Sequence, residues 1–193
     1  MNNNKLKGKD LINIGIYAAI YCVVMTAIAM LGYIPIMMPM LAVLVPLIGG
    51  VPMMLFYTKV KKFGMITIMA IILGVYLFIT GMGAWPMLFG VVFGILADFV
   101  AKSGEYKSVA KTILSHAVLC IMIFGNFLPL YIDREGYFSS RVKFGQDYID
   151  TLGSIMQPWT APVVLACSFV FGVLGALLGK VLLKKHFVKA GIA

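Results

Sequence analysis

The sequence predicts an all-α integral membrane protein with six transmembrane helices, cytoplasmic N and C termini and a long extracellular loop between helices 5 and 6. Hydrophobic residues make up 62% of the 193 residues, and charged residues only 12%. A water-soluble chain of this length does not have enough interior to hide so much apolar surface. The apolar residues also fall in long runs, as membrane-crossing helices of about 20 residues require. No linker or internal repeat divides the chain, so we expect a single domain over residues 1–193.

The basic residues predict the orientation of these helices. Thirteen of the sixteen lysines and arginines lie in four short stretches beside the apolar runs, within residues 5–9, 59–62, 102–111 and 180–189. Basic residues collect on the cytoplasmic side of a bilayer, so both chain ends are predicted to be inside. Attraction to the headgroups of a lipid bilayer explains the net charge of +9 better than binding to nucleic acid does.

The first three predicted spans cover residues 11–31, 34–57 and 64–79. Asp10 is the expected N-cap of the first span, which lacks a cleavage site and is expected to stay in the mature protein. The second span contains four prolines and the pair Gly49-Gly50. Proline removes a backbone donor and clashes with the preceding turn, so this span is not expected to be one regular helix. Irregular backbone in a membrane is buried or lines a cavity, so its outer half is predicted to form a pocket wall.

The last three predicted spans cover residues 85–100, 109–132 and 161–183. The third and fourth spans are short, which predicts local thinning of the bilayer or a connection that dips into the membrane. Residues 133–160 form the long outer loop. Within this loop, Phe144, Tyr148, Leu152 and Ile155 recur at helical spacing and predict an amphipathic helix that lies on the membrane or over a cavity.

Few polar residues interrupt the spans, and each is a candidate functional residue because polar groups are costly there. They include Asn13, Asp98, His116 and Asn126. Asp98 is expected either to pair with Lys102, four residues on, or to contact a cytoplasmic partner. No HExxH, GxSxG or Walker sequence occurs, which argues against an enzyme, and a self-energised pump would need a carboxylate relay. His116 is expected to be a packed residue or, in one alternative, a ligand to a bound group.

Aromatic residues collect on the predicted outer side. An interfacial belt would place them at both membrane faces, so the asymmetry favours an outward cavity for a flat or apolar ligand. Three neighbouring methionines lie on the proline-rich outer segment, where flexible side chains suit varied ligands. The residues predicted to bind the ligand are Tyr33, Met37, Trp85, Asn126, Tyr148 and Trp159.

Small residues four positions apart form strips that allow close helix contacts. Gly15 and Ala19 form one such strip in the first span. Gly172/Ala176 and Gly175/Gly179 form a second in the last span. We expect at least one strip to be internal, while the other is available to a partner.

The opening of the first span, residues 9–19, reads Lys-Asp-Leu-Ile-Asn-Ile-Gly-Ile-Tyr-Ala-Ala. With the proline-rich second span, the Ala97-Asp98 end of the fourth and the long last loop, it resembles the S components of energy-coupling factor (ECF) transporters, specifically the Trep_Strep family. The resemblance covers the whole chain. It implies a plasma-membrane subunit of a bacterial type that captures a vitamin or similar small micronutrient near the outer face.

The resemblance also implies partners, namely a transmembrane coupling (T) subunit and, through it, two cytoplasmic ATPases. S components commonly carry an Ala-xxx-Ala contact motif in the first helix, and the matching positions here are Gly15 and Ala19. The ligand in related S components is held by the last three spans and the first, third and fifth loops. This chain would then have no catalytic residues, cofactor or metal of its own.

The identity of the substrate stays open. The thiamine-type arrangement of an acidic residue and a histidine is absent from the outer half of the sequence. A porphyrin would suit the methionines and tyrosines, with His116 as an axial ligand. The rival classes are a small membrane enzyme acting on lipids, which would need a catalytic pair, and a purely structural membrane subunit.

Overall fold

The computed structural model describes residues 5–185 and residue 188, and this part of the chain is helical with no β-strand. Lys189 and the predicted cytoplasmic C terminus lie outside the described residues. The α-helices of the described part are α1 (Gly8–Ala29), α2 (Met37–Tyr57), α3 (Met65–Leu77), α4 (Trp85–Ser103), α5 (Val109–Cys120), α6 (Leu128–Ile132), α7 (Arg134–Ser139), α8 (Gln146–Ile155) and α9 (Thr160–Leu182). The predicted all-α class is confirmed.

Among the residues that the structure describes, six helical stretches are long and apolar enough to cross a membrane, which confirms the predicted number. They are Gly8–Tyr33, Met37–Tyr57, Met65–Met82, Trp85–Ser103, Val109–Asn126 and Thr160–Leu182. Successive spans run in opposite directions, so the lysine-flanked ends meet at one end of the bundle, here called the lysine end. Residues 133–159 cover the opposite end, here called the loop end.

The start of α1 differs from the prediction. Lys7, not Asp10, is the N-cap residue, and Asp10 lies three residues later, in the first turn of the helix. It accepts a hydrogen bond of 2.8 Å from the Lys7 backbone nitrogen. It also forms an ion pair with Lys62, with 2.6 Å between the carboxylate oxygen and Nζ. A carboxylate in the first turn can satisfy a backbone donor and favours the positive end of the helix dipole.

The predicted irregularity of the second span is wrong, because α2 is continuous from Met37 to Tyr57. Pro46 and Pro52 lie inside the helix, and tertiary packing holds it together. Gly50 lies in direct backbone contact with Gly175 of α9, where a Cβ atom on either residue would overlap the other helix. Because glycine has no side chain, α2 and α9 can pack with their backbones in contact at this point.

The α3 and α4 helices also approach through small residues. A Cβ atom on Gly94 would lie 2.7 Å from the Ala70 Cβ atom, and one on Gly90 would lie 2.9 Å from the Ala70 carbonyl oxygen. The α3 helix continues into a π turn over Phe78–Met82 and then reverses at glycines with positive φ. These contacts make α3 and α4 a closely packed helix pair.

The predicted fifth span, residues 109–132, is not one helix. The α5 helix tightens to a 3₁₀ turn over Ile121–Asn126, and the separate short helix α6 follows. A Cβ atom on Gly125 would lie 2.9 Å from the Pro86 Cα atom, so this turn packs directly on the first turn of α4. Pro129 then begins a new helix rather than extending the old one.

Residues 133–159 fold into a cover made of α7, a 3₁₀ turn over Val142–Phe144 and α8. The predicted amphipathic helix is confirmed, since Tyr148 and Leu152 of α8 are buried and Ile155 is half-buried. Phe144, the first member of the predicted stripe, lies in the preceding turn instead.

Candidate ligand-binding site at the loop end

Arg134 holds the two helices of the cover together. Its Nη1 atom donates a hydrogen bond of 2.6 Å to the Met156 carbonyl, and its Nη2 atom donates to the Gly153 carbonyl. These carbonyls lie at the end of α8, where helix carbonyls lack partners within the helix and the dipole favours a cation. The guanidinium carbon also lies 5.2 Å from the centre of the Phe138 ring. Arg134 is therefore a structural residue of the cover.

An aromatic stack joins the cover to the loop between α1 and α2. The Tyr33 and Phe144 rings stack with centres 5.6 Å apart, and the Phe144 and Tyr148 ring centres are 5.0 Å apart. The Tyr148 hydroxyl donates a hydrogen bond of 2.8 Å to the Gly32 carbonyl. Two predicted ligand-binding residues, Tyr33 and Tyr148, are thus brought together by Phe144. Met37 begins α2 at the end of the same loop and is half-buried.

Trp85 and Asn126 form a second group at the loop end. The Trp85 carbonyl lies 3.0 Å from the Cβ position of Gly125, next to Asn126. The Asn126 side-chain nitrogen donates to the Ile123 carbonyl at 3.1 Å. Its Oδ1 atom is buried and has no hydrogen-bond partner within the described residues. That oxygen is a hydrogen-bond acceptor that no described residue uses.

Trp159 is the most exposed of the six predicted residues, with 70% of its surface accessible. It precedes α9 and forms neither of the groups above. The structure therefore gathers the predicted residues into two groups and leaves Trp159 at the surface.

Two further residues at the loop end were missed as site candidates. Tyr137 is buried with 4% of its surface exposed, and the Arg141 guanidinium carbon lies 3.6 Å from the centre of its ring. Burial raises the pKa of Tyr137 to about 12, and the neighbouring Arg141 acts in the opposite direction. In the sequence, the spacing of four residues between Tyr137 and Arg141 indicates that the two side chains can be in contact if the segment is helical.

A family described as "Hypothetical bacterial integral membrane protein (Trep_Strep)" matches residues 8–189. The chain belongs to the Trep_Strep family. The resemblance to the Trep_Strep family is thereby confirmed, and the six apolar helices agree with a multi-pass membrane protein. No curated protein and no solved structure matches the chain.

In this Trep_Strep chain, Asp98 does not pair with Lys102 as one interpretation expected. Asp98 is fully buried, and its Oδ2 atom accepts hydrogen bonds from Gly64 N at 2.8 Å, Thr67 N at 2.9 Å and Thr67 Oγ1 at 2.8 Å. Lys102 Nζ lies instead over the Phe63 ring at 5.4 Å. The carboxylate caps the start of α3, whose first amides have no partner within the helix.

His116, the residue that a haem ligand would require, is packed in the middle of the bundle. It is 1% exposed, its Nε2 atom lies 3.5 Å from Cys120 Sγ, and its ring meets Tyr57 edge-on. No group of three or more metal-ligating His, Cys, Asp or Glu side chains occurs among the described residues. This arrangement favours packing as the role of His116.

The two strips of small residues have different surroundings. Gly172, Gly175, Ala176 and Gly179 of α9 are buried, which confirms that one strip is internal. Gly15 and Ala19 of α1 are exposed, and a Cβ atom on Gly15 would have no heavy atom within 4 Å. The α1 strip therefore presents a smooth surface on the outside of the described part of the molecule.

A shallow apolar groove of about 380 Å³ runs along the outer face of α9. Its lining includes Pro162, Ala166 and Phe171, and none of the six predicted ligand-binding residues. The groove is open along one helix and contains no polar side chain that would orient a small molecule. The two groups at the loop end remain the better candidate site.

Proposed function

We propose that this protein is the S component of a bacterial ECF-type importer in the plasma membrane and captures a vitamin or similar small micronutrient. The loop end faces outward in this proposal, and the lysine end faces the cytoplasm. The observation that carries the proposal is the docked cover, in which Tyr148 and Phe144 join residues 133–159 to the first loop. A cover tied by a few aromatic contacts can open to admit a ligand and then close over it.

The polar chemistry of the spans supports a binding subunit over a self-energised carrier. Asp98 accepts hydrogen bonds from the start of α3, and His116 is packed against Cys120 and Tyr57. Energy would therefore come from two cytoplasmic ATPases through a T subunit. The exposed strip formed by Gly15 and Ala19 is the proposed contact with that subunit, because small residues let helices approach closely.

The test is native mass spectrometry of the full-length protein purified from its own host in mild detergent. We expect a retained small molecule, and co-purification of a T subunit with two ATPases. Release of the small molecule from the W85A variant, but not from a variant at exposed Val92 on the same helix, would place the ligand at the loop end. Purification without any retained molecule and without those subunits would contradict the proposal.

A further inference from the structure

Arg141 is a half-buried guanidinium with unused donors. Its Nη1 atom donates to the Tyr137 carbonyl at 3.1 Å and to the Ser140 hydroxyl at 3.0 Å. A guanidinium carries five N–H donors on three nitrogens. Within the described residues, the Nε and Nη2 atoms of Arg141 have no hydrogen-bond acceptor. One edge of the planar group is therefore available to a bound molecule.

The same guanidinium has no counter-charge among the described residues. The cover contains four acids, Asp133, Glu135, Asp147 and Asp150, but the ion pair found in this part of the chain is between Lys62 and Asp10. Asp133 accepts instead from Gly136 N, and Asp150 accepts from Gln146. Arg134, by contrast, is bound by two carbonyls of α8. A partly desolvated cation without a carboxylate is costly and is usually paired.

The Tyr137 hydroxyl gives a second, independent observation. It is buried and has no hydrogen-bond partner within the described residues. Buried tyrosine hydroxyls normally have one, so an orphaned hydroxyl beside an unpaired cation indicates a missing ligand. Burial raises the pKa of Tyr148 as well, and Arg141 again acts in the opposite direction. The Arg141 guanidinium lies on the Tyr137 ring, with 3.6 Å between its carbon and the ring centre. Tyr148 belongs to the aromatic stack of the same cover.

We infer that Arg141 and Tyr137 form the anion-binding end of the ligand site, and that the captured molecule carries a carboxylate joined to a flat, apolar body. The inference rests on the proposed function. The free edge of the guanidinium matches the two oxygens of a carboxylate, and the tyrosine hydroxyl can donate a third hydrogen bond. A phosphate fits less well, because it carries more charge and the other arginine of the cover is already bound. The aromatic rings of the stack would contact the flat body.

The test uses matched acids and amides as probes of charge at constant shape. Binding of benzoate, benzamide, nicotinate, nicotinamide and phenyl phosphate to the full-length protein in detergent is measured by calorimetry up to millimolar concentration. We expect at least one carboxylate to bind more than about tenfold tighter than its amide, and phenyl phosphate to bind no tighter than benzoate. R141Q should remove most of this preference, and R141K should restore part of it.

The matched control is K143Q, which removes the same charge from an exposed residue of the same loop and should leave the preference unchanged. A second variant, Y137F, keeps the ring under Arg141 and removes only the hydroxyl. We expect it to weaken carboxylate binding by about 3- to 10-fold while the Tm of the unliganded protein stays equal or rises, because the orphaned hydroxyl is lost. A purely structural role for the hydroxyl would lower the Tm instead.

Three results would overturn the inference: no saturable binding by any carboxylate probe, equal binding of acids and amides, or an acid preference that survives in R141Q. The proposed function would stand apart from these results. A neutral compound retained by the protein in native mass spectrometry would support an S component and reject the anion site. Absence of both a retained compound and the energising subunits would reject the proposed function itself.

Discussion

Asp98 shows how a single buried acid is accommodated in a membrane-spanning helix. All three of its hydrogen bonds come from Gly64 and Thr67 at the start of α3 and converge on one carboxylate oxygen. These donors and the positive end of the helix satisfy the Oδ2 atom, while the buried Oδ1 atom has no hydrogen-bond partner within the described residues. Its role is therefore to join α3 to α4 at the lysine end.

Replacing this acid tests the role directly. We expect D98A to lower the free energy of unfolding by about 2–3 kcal/mol, because the α3 amides lose their acceptor, and T67V to lower it by about 0.5–1.5 kcal/mol. The exposed residue Glu105 provides the control variant, E105Q, which should change stability little. Thermal unfolding in detergent, followed by circular dichroism, measures all three. A D98A protein as stable as wild type would contradict the capping role.

Tyr148 is the residue at which the cover meets the first loop. The Y148F variant keeps the ring contact with Phe144 and removes the hydrogen bond to the Gly32 carbonyl. We expect the cover to open more often, with a loss of about 0.5–1.5 kcal/mol in local stability. Hydrogen exchange of the α8 amides should accelerate, while exchange in α3 stays unchanged. Equal acceleration in both helices would indicate global destabilisation rather than opening of the cover.

For the helices, the sequence predicts the number and approximate ends of the spans, because these depend on local composition. The six spans follow from run length and flanking lysines, and most predicted ends lie within a few residues of the observed ones. The continuity of α2 was missed because the proline argument considers only the local loss of a donor. Contact between Gly50 and Gly175 supplies what that argument lacks, and it depends on residues far apart in the chain. The break after α5 similarly depends on Gly125 packing on Pro86.

In the candidate site too, some residues could be predicted from the sequence and others could not. Tyr33 and Tyr148 were identified because the aromatic residues are distributed asymmetrically along the chain. Arg141 is one of the three basic residues outside the four lysine stretches and was not a site candidate, since its contact with Tyr137 exists only once the cover has folded. Residue types could therefore predict the loop end as the candidate site, whereas the polar contacts within it required the three-dimensional structure.

The two strips of small residues give a prediction about helix surfaces. We expect the G15L/A19L double variant to fold normally but to lose binding to the T subunit and uptake in cells, because Leu side chains block close helix contact. The matched change G175L should instead prevent folding, since Gly175 already touches Gly50. Size-exclusion profiles, co-purification and cellular uptake distinguish the two. Full uptake by G15L/A19L would remove the proposed docking surface.

For the whole molecule, the distribution of charge predicts the orientation in the membrane. In a background without native cysteines, we expect single cysteines at Ser108 and Ala190 to be labelled only from the cytoplasm, and one at Ser139 only from outside. Ser139 is exposed on the cover, Ser108 precedes α5, and Ala190 lies outside the described residues. Labelling of Ser139 and Ala190 from the same side of intact cells would contradict the six-span topology.

The contact between Gly50 and Gly175 also has a consequence for biosynthesis. Gly175 follows Gly50 by 125 residues, so α2 leaves the ribosome long before the helix on which it packs. Until α9 is inserted, the small-residue surface of α2 and its two internal prolines face lipid or the insertion machinery. A nascent chain stopped before residue 160 should therefore be recognised by membrane proteases, whereas release of the complete chain would allow the bundle to close around α2.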